Sequence, residues 1–332
     1  MSALGAQGPT TLIPLEAGKP LESPLTGGQA NSYRIETADA NRFCDAVVEQ
    51  RGIDVVVSLF NPEGRKLAEV DSPNGAVGPE RLSVVLERPG AYRLEVRSLE
   101  KEASGRYEIR LAELRLASKT DITRRLAQQA FADAEQLRKS ATLESRRAAI
   151  VRYQEAQRQF ATLADVAGES DSFTGLARVL YNLGDNQPAL EAYQHALEGK
   201  RNVGDRQAEA YLLHNMGAVY SHLGEFPKSL DHHTQALALQ RSLGNQAVEG
   251  MALSSIGALH DEMDEKEKAL VYYQQALALR RQVKHRRGEG ATLHNMGALY
   301  KDLGEYPSTI SSSRWKSTRL CGTAKAKASP RT

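Results

Sequence analysis

Between residues 12 and 116, apolar and polar side chains alternate in twos. Tyr33, Ile35 and Thr37 fall on one face of such an alternation, as do Tyr92, Leu94 and Val96, and again Tyr107, Ile109 and Leu111. The apolar run Val55-Val56-Val57-Ser58-Leu59-Phe60 stops at Asn61-Pro62-Glu63-Gly64, where proline fixes one dihedral and glycine supplies a positive one. Asn74-Gly75 and Pro89-Gly90 mark further turns. Short strands at this spacing predict an antiparallel β-sandwich over residues 12–118, after a flexible terminus of residues 1–11. From Lys119 onward glycine and proline thin out and a period of about 3.6 residues takes over. Asp121 reads as the cap of a first helix carrying Leu126, Ala130, Phe131, Ala134 and Leu137 on one face.

The helical part repeats itself. Leu213-His214-Asn215-Met216-Gly217-Ala218-Val219-Tyr220 returns 40 residues later as Leu253-Ser254-Ser255-Ile256-Gly257-Ala258-Leu259-His260, and again as Leu293-His294-Asn295-Met296-Gly297-Ala298-Leu299-Tyr300. A second register at the same period runs through Ala149, Tyr153 and Ala156, then Ala189, Tyr193 and Ala196, then Ser229, His233 and Ala236, then Ala269, Tyr273 and Ala276. Small residues in this register let adjacent helices approach, and the ring between them fills the remaining space. Leu183-Gly184, Leu223-Gly224 and Leu303-Gly304 mark the break between paired helices, because glycine accepts the left-handed conformation that ends the first. In the third unit the break reads Met263-Asp264, where a slightly weaker turn is expected. A fixed period of this kind predicts stacked helix pairs over residues 119–307, each burying its apolar face against its neighbours.

This pattern resembles the tetratricopeptide repeat, lengthened from about 34 residues by links such as Gly204-Asp205-Arg206 and Gly244-Asn245-Gln246. The resemblance implies that the first helix of each pair lines a concave groove. The groove candidates it assigns are Tyr211, His214, Asn215, Ala218, Ser221 and His222; in the next unit Met251, Ser254, Ser255, Ala258, Asp261 and Glu262; and then Ala291, His294, Asn295, Ala298, Lys301 and Asp302. An asparagine amide offers a donor and an acceptor, so Asn215 and Asn295 could pair with the backbone of an extended peptide; the alternative is that they are ordinary helix-surface polar residues. Ser255 and Gly175 interrupt that ladder. Positions 214, 254 and 294 lack the lysines that would clamp a terminal carboxylate, which argues against recognition of chaperone tails.

In the first third, Ser32-Tyr33-Arg34-Ile35, Asn61-Pro62-Glu63-Gly64 and Gly90-Ala91-Tyr92-Arg93-Leu94-Glu95-Val96 resemble the bacterial pre-peptidase C-terminal (PPC-like) β-sandwich. That resemblance implies no active site of its own. A PPC-like sandwich leading into 40-residue repeats also resembles the leading part of bacterial proteins that end in a CHAT domain, a caspase-like cysteine peptidase. Such a peptidase needs a histidine and a cysteine placed by a strand framework, and Cys321 has none around it.

Charge changes this picture little. The net charge of +2 arises in residues 308–332, which carry 6 basic and 0 acidic side chains, so the folded region shows no basic surface for nucleic acid. Two cysteines, Cys44 and Cys321, make neither a disulfide framework nor a zinc site, and Cys44 reads as a small strand-core residue. Asp39, Asp45, Asp54 and Asp71 lack the spacing of a calcium loop and read as solvated strand ends. His214 and His294 recur with the repeat at a separation of roughly 20 Å, too far to share an ion. No metal or cofactor is therefore expected. No apolar stretch approaches the roughly 20 residues needed to span a bilayer, so no membrane insertion is expected, and Met1 to Thr11 as written hold no export signal. The chain reads as cytoplasmic, or as exported if a leader precedes Met1.

The repeat fails at Ser308. Shifting one synonymous back-translation of the tail by a base restores Gln-Gln and Gly-Glu-Gly, as in Tyr273-Gln274-Gln275 and Gly288-Glu289-Gly290. Residues 308–332 therefore read as a disordered, frameshifted tail of a longer gene with more repeats, which would leave Leu293, Met296 and Leu299 short of a packing partner and the last helix the first to fray. The expectation for the whole is a multidomain all-β plus all-α protein, a non-enzymatic scaffold that binds a peptide or protein partner in the groove. Its competitor is the catalytically silent leading part of a CHAT-type peptidase.

Overall fold

The computed structural model of the chain describes residues 12–72, 76–98, 100, 102–140 and 142–303. The Asn74-Gly75 turn, Gly304, the terminus before residue 12 and residues 308–332, read above as a frameshifted tail, lie outside the described residues. Contacts divide the chain into two compact units, meeting at Gln129 and Ala130.

Among the described residues the first unit contains nine strands: β1 (Ile13–Pro14), β2 (Leu21–Thr26), β3 (Ala30–Thr37), β4 (Arg42–Arg51), β5 (Val55–Phe60), β6 (Lys66–Val70), β7 (Val77–Leu86), β8 (Gly90–Ser98) and β9 (Ser104–Leu116). They form a five-stranded sheet in the order β1-β3-β8-β5-β6 and a four-stranded sheet in the order β2-β9-β4-β7. Pairing is antiparallel except between β1 and β3. The alternation predicts the inner faces correctly: Tyr33, Ile35, Tyr92, Leu94, Val96, Tyr107, Ile109 and Leu111 are all buried in one core with Cys44. The buried phenols satisfy one another, with the Tyr33 and Tyr107 hydroxyls 2.6 Å apart, Tyr33 donating to Ser23 Oγ at 2.8 Å and Asn31 donating to Tyr107 at 2.9 Å.

Three sequence expectations need correction in this unit. Asp45 is not a solvated strand end: it lies within β4, 1% exposed, accepting from Arg81 at 2.9 and 2.7 Å and from Ser83 at 2.7 Å. A carboxylate this deep persists because a two-pronged guanidinium and a hydroxyl replace its water. Asp121 is not the cap but the third residue of its helix. Ser118 precedes α1 (Lys119–Arg138), and its hydroxyl accepts from the Asp121 N–H at 3.2 Å while the Asp121 carboxylate accepts from the Ser118 N–H at 2.8 Å. Arg115 donates to the same carboxylate at 2.7 Å. On α1, Ala127 is buried where Leu126 was expected; Leu126 is 38% exposed.

Among the described residues eight helices follow: α2 (Leu143–Thr162), α3 (Val166–Leu183), α4 (Asn186–Asn202), α5 (Arg206–His222), α6 (Phe226–Ser242), α7 (Gln246–Glu262), α8 (Lys266–Gln282) and α9 (Arg286–Asp302). From α4 onward every helix has 17 residues. Odd-numbered helices carry the first register of the repeat and even-numbered helices the second. Tyr153, Tyr193, His233 and Tyr273 are buried between them, as the spacing predicts. Met296 and Leu299 are buried too, in a cluster with Ala269, Tyr273 and Leu277 of α8, while Leu293 packs against it only half-buried.

Each joint turns on one left-handed residue, and these stand 20 apart: Ala164, Gly184, Gly204, Gly224, Gly244, Asp264 and Lys284. Four are glycines, while Ala164 (φ 52°), Asp264 (φ 59°) and Lys284 (φ 56°) hold the same conformation against the clash of their Cβ atoms. Replacing any of these three by glycine is expected to stabilise the helical unit by about 0.5–1 kcal/mol, least at Asp264, since aspartate tolerates the geometry better. Urea-unfolding midpoints of Ala164→Gly, Asp264→Gly and Lys284→Gly would show this, and an unchanged or lower midpoint for Lys284→Gly would contradict it.

Candidate binding groove

On α5, α7 and α9 the predicted groove positions fall together on one stripe, opposite the residues that hold the helices together. At about 100° per residue, Leu212, Leu213, Met216 and Val219 of α5 point inward and are buried. Tyr211 and His222 are exposed, and His214, Asn215, Ala218 and Ser221 are half-buried. On α7, Met251 and Glu262 are exposed while Ser254, Ser255, Ala258 and Asp261 are half-buried; on α9, Ala291, His294, Ala298, Lys301 and Asp302 are exposed and Asn295 is half-buried.

Several of these residues bond across neighbouring helices. His222 Nε2 lies 3.1 Å from the Tyr181 hydroxyl, joining α3 to α5, and Ser221 donates to Glu262 at 2.7 Å, joining α5 to α7. The Asn295 amide lies near the Tyr273 hydroxyl. Asn215 differs: its side-chain nitrogen is buried and has no partner, and the same holds for the hydroxyl of Ser254 on the next helix. The repeat alone does not distinguish the two asparagines, since the difference lies in what packs beneath each. Ser255 bonds back to the Met251 carbonyl at 3.3 Å.

Electrostatics vary along the stripe. His214 packs on His233 with ring centroids 4.9 Å apart, and burial holds the His214 pKa below its usual range. Burial, and then the nearby carboxylates of Asp302, Asp264 and Glu262, push the Asp261 pKa up against the opposing pull of Lys266. Large side chains are exposed here as well. Tyr211 is 42% exposed and Met251 44%, and they occupy equivalent positions on adjacent repeats.

A cleft of about 590 Å³ opens on the other side of α7, lined by Leu230, Leu237, Ile256, His260, Val271 and Tyr272, with Arg241 and Lys268 at its edge. Its basic groups are already engaged: Arg241 with Glu249 at 2.7 Å, and His260 and Lys268 with Glu265 at 2.6 and 2.8 Å. The stripe, in contrast, holds unpartnered polar atoms. Among the described residues no group of three or more histidines, cysteines or carboxylates is placed to hold a metal ion, and no helix is long and apolar enough to cross a membrane. Cys44 is buried, which pushes its thiol up to about 12.

A comparison with curated proteins finds no match. Among solved structures the chain is similar to aspartyl phosphate phosphatase F from Bacillus subtilis, at 13% identity and a TM-score of 0.51 over 56% of this chain and 48% of that one, so it spans about half that protein's length. BtubC (BKLC) from P. vanneervenii is 18% identical over 65% of this chain and 98% of its own, with a TM-score of 0.48. The pre-peptidase C-terminal domain of collagenase from Bacillus anthracis is 21% identical over 32% of this chain and 98% of its own, with a TM-score of 0.27. Residues 171–206 and 207–282 match the tetratricopeptide repeat family. Residues 171–282 are therefore tetratricopeptide repeats within a solenoid of that kind formed by α3–α9, and the β domain before it is similar to the pre-peptidase C-terminal domain.

Proposed function

We propose that the protein is a non-catalytic scaffold whose stripe on α5, α7 and α9 binds an extended peptide segment of a protein partner. Tetratricopeptide repeats suit a protein-interaction role, and the observation that carries the reading is the combination on α5 and α7. Tyr211 and Met251 stand exposed at the same position of successive repeats, above the unpartnered donors of Asn215 and Ser254. Apolar anchors beside unsatisfied polar groups are what a peptide backbone and its side chains complement. Phosphatase chemistry is not carried over from the Bacillus subtilis structure, whose similarity concerns the fold.

The test is to select binders from a random-peptide display library on the full chain and measure their affinity for Tyr211→Ala and Met251→Ala. Both side chains are exposed, so both variants should keep the native circular dichroism spectrum. Affinity should fall at least about tenfold in one or both, the size expected of an interface anchor. Unchanged affinity in both variants would refute the assignment.

A further inference from the structure

The repeat places residues 160, 200, 240 and 280 at one register, near the ends of α2, α4, α6 and α8, where Phe160, Lys200, Gln240 and Arg280 are all buried. Five residues later Asp165, Asp205, Asn245 and His285 precede α3, α5, α7 and α9 as their caps. Buried Lys200 has carboxylates on both sides, Asp171 at 2.6 Å and Asp205 at 3.8 Å. Asp205 also caps α5, accepting from the Ala208 N–H at 3.0 Å. One charged side chain thus settles both the buried cation and the positive end of the next helix.

Two repeats on, the cation remains and the anions do not. Arg280 is 6% exposed, yet the positions of the two acids hold Met251 and His285. Among the described residues no carboxylate pairs with it. Its Nη1 donates to the Gly288 carbonyl at 2.7 Å and to the Thr292 hydroxyl, and its buried Nε has no partner. A guanidinium held this deep without counter-charge is a standing cost.

The start of α9 has the matching deficit. Asp165, Asp205 and Asn245 each accept from the N–H three residues on, whereas His285 makes no capping bond. The unpartnered Arg280 Nε lies beside this same turn: a Cβ on Gly288 would lie 2.9 Å from it, and closer still to His285 Nδ1. Only glycine at the third helical position lets both groups converge there. Arg286 and Arg287 add charge in the first turn, and the nearby Glu289 is engaged by Arg281 at 3.0 Å.

We propose that the start of α9 is a binding site for a phosphoryl oxyanion. The anion occupies the place that the Asp205 carboxylate has at the start of α5, accepts from the Gly288 N–H and the His285 ring, and neutralises Arg280. A buried guanidinium, an imidazole and a helix N-terminus meeting at one glycine, with Arg286 and Arg287 in the same turn, favour a doubly charged, tetrahedral group over a single carboxylate. Free phosphate and a phosphomonoester on a larger molecule share this chemistry.

The test is calorimetric titration of the full chain with inorganic phosphate and, separately, with O-phosphoserine, in chloride buffers of matched ionic strength. Saturable binding to one site is expected for at least one of them, and the tighter of the two identifies the source as the free ion or a phosphorylated molecule. His285→Asp supplies the counter-charge internally, as Asp205 does, and Arg280→Gln installs the residue found at position 240. Each should weaken binding at least about tenfold. His285→Asp alters an exposed residue and decides the matter if Arg280→Gln does not fold. No saturable binding to the wild type, or wild-type affinity in folded His285→Asp, would overturn the site.

Discussion

Replacing Gly175 by alanine is expected to destabilise the helical unit by about 1–3 kcal/mol, although alanine is the better helix former by about 1 kcal/mol. The reason lies in Tyr153, whose ring runs directly beneath Gly175 of α3. A Cβ at 175 would overlap its Cε1 and Cζ atoms and lie 2.8 Å from its hydroxyl oxygen. That ring cannot swing aside freely, because it is 0% exposed and its hydroxyl is held between the Glu135 carboxylate and Arg138 Nε, the latter at 3.2 Å. Truncating the ring instead, in Tyr153→Ala, should cost about 3–5 kcal/mol through the cavity it leaves. The double variant gives the sharper result. With the ring gone, Gly175→Ala should become neutral or stabilising, and the sign reversal in a double-mutant cycle isolates the contact. If Gly175→Ala costs the same in both backgrounds, the packing account of this repeat is wrong.

The second large effect is on acid stability. His233 stands in the register that Tyr153, Tyr193 and Tyr273 fill elsewhere, 3% exposed and against Gly217. Burial, and then repulsion from the neighbouring imidazoles of His214 and His232, push its pKa down to about 3 from an ordinary 6.5. Its Nδ1 is buried without a partner. Because the folded-state pKa is depressed, the unfolded chain takes up a proton near 6.5 that the folded chain refuses until about 3. Stability from this group is therefore complete above 6.5 and declines as the pH falls through that window, by about 1.4 kcal/mol per unit. Over the upper two units the loss is about 2–3 kcal/mol. His233→Tyr restores the ring of the other repeats and should remove most of this slope. The check is the difference in unfolding free energy between wild type and variant across the window, which cancels the carboxylates common to both. Equal slopes would show that His233 is protonated in the folded state.

How much of this was legible in the chain depended on whether the cause was local or lay across a contact. The 40-residue register alone places Tyr153, Tyr193 and Tyr273 in the core, since helix period and small neighbours at positions such as Ala156 and Ala196 are written consecutively. The strand faces of Tyr33 and Tyr107 are legible for the same reason. Asp45 was misread because its partner Arg81 lies 36 residues away, and only the β4–β7 register brings them together. The left-handed joints at Ala164 and Lys284 carry no glycine to announce them, although the spacing of 20 from their neighbours could have located them. At the candidate groove, the sequence places Asn215 and Asn295 on one stripe but cannot tell that Asn295 lies near the Tyr273 hydroxyl while the Asn215 side-chain nitrogen is buried without a partner. The buried arginine at 280 escaped notice because a basic run at a helix end usually reads as solvated surface.

The central claim is that a partner segment lies along α5, α7 and α9. Its most direct test is photo-crosslinking of a library-selected peptide, carrying a photoreactive residue at each position in turn, to the full chain, followed by mass-spectrometric identification of the labelled residues. The account predicts labels at Tyr211, Met251 and their neighbours on the stripe, moving from α5 toward α9 as the photoreactive residue moves along the peptide. Labels confined to the opposite cleft, at Val271 and Tyr272, or to the β domain, would contradict it.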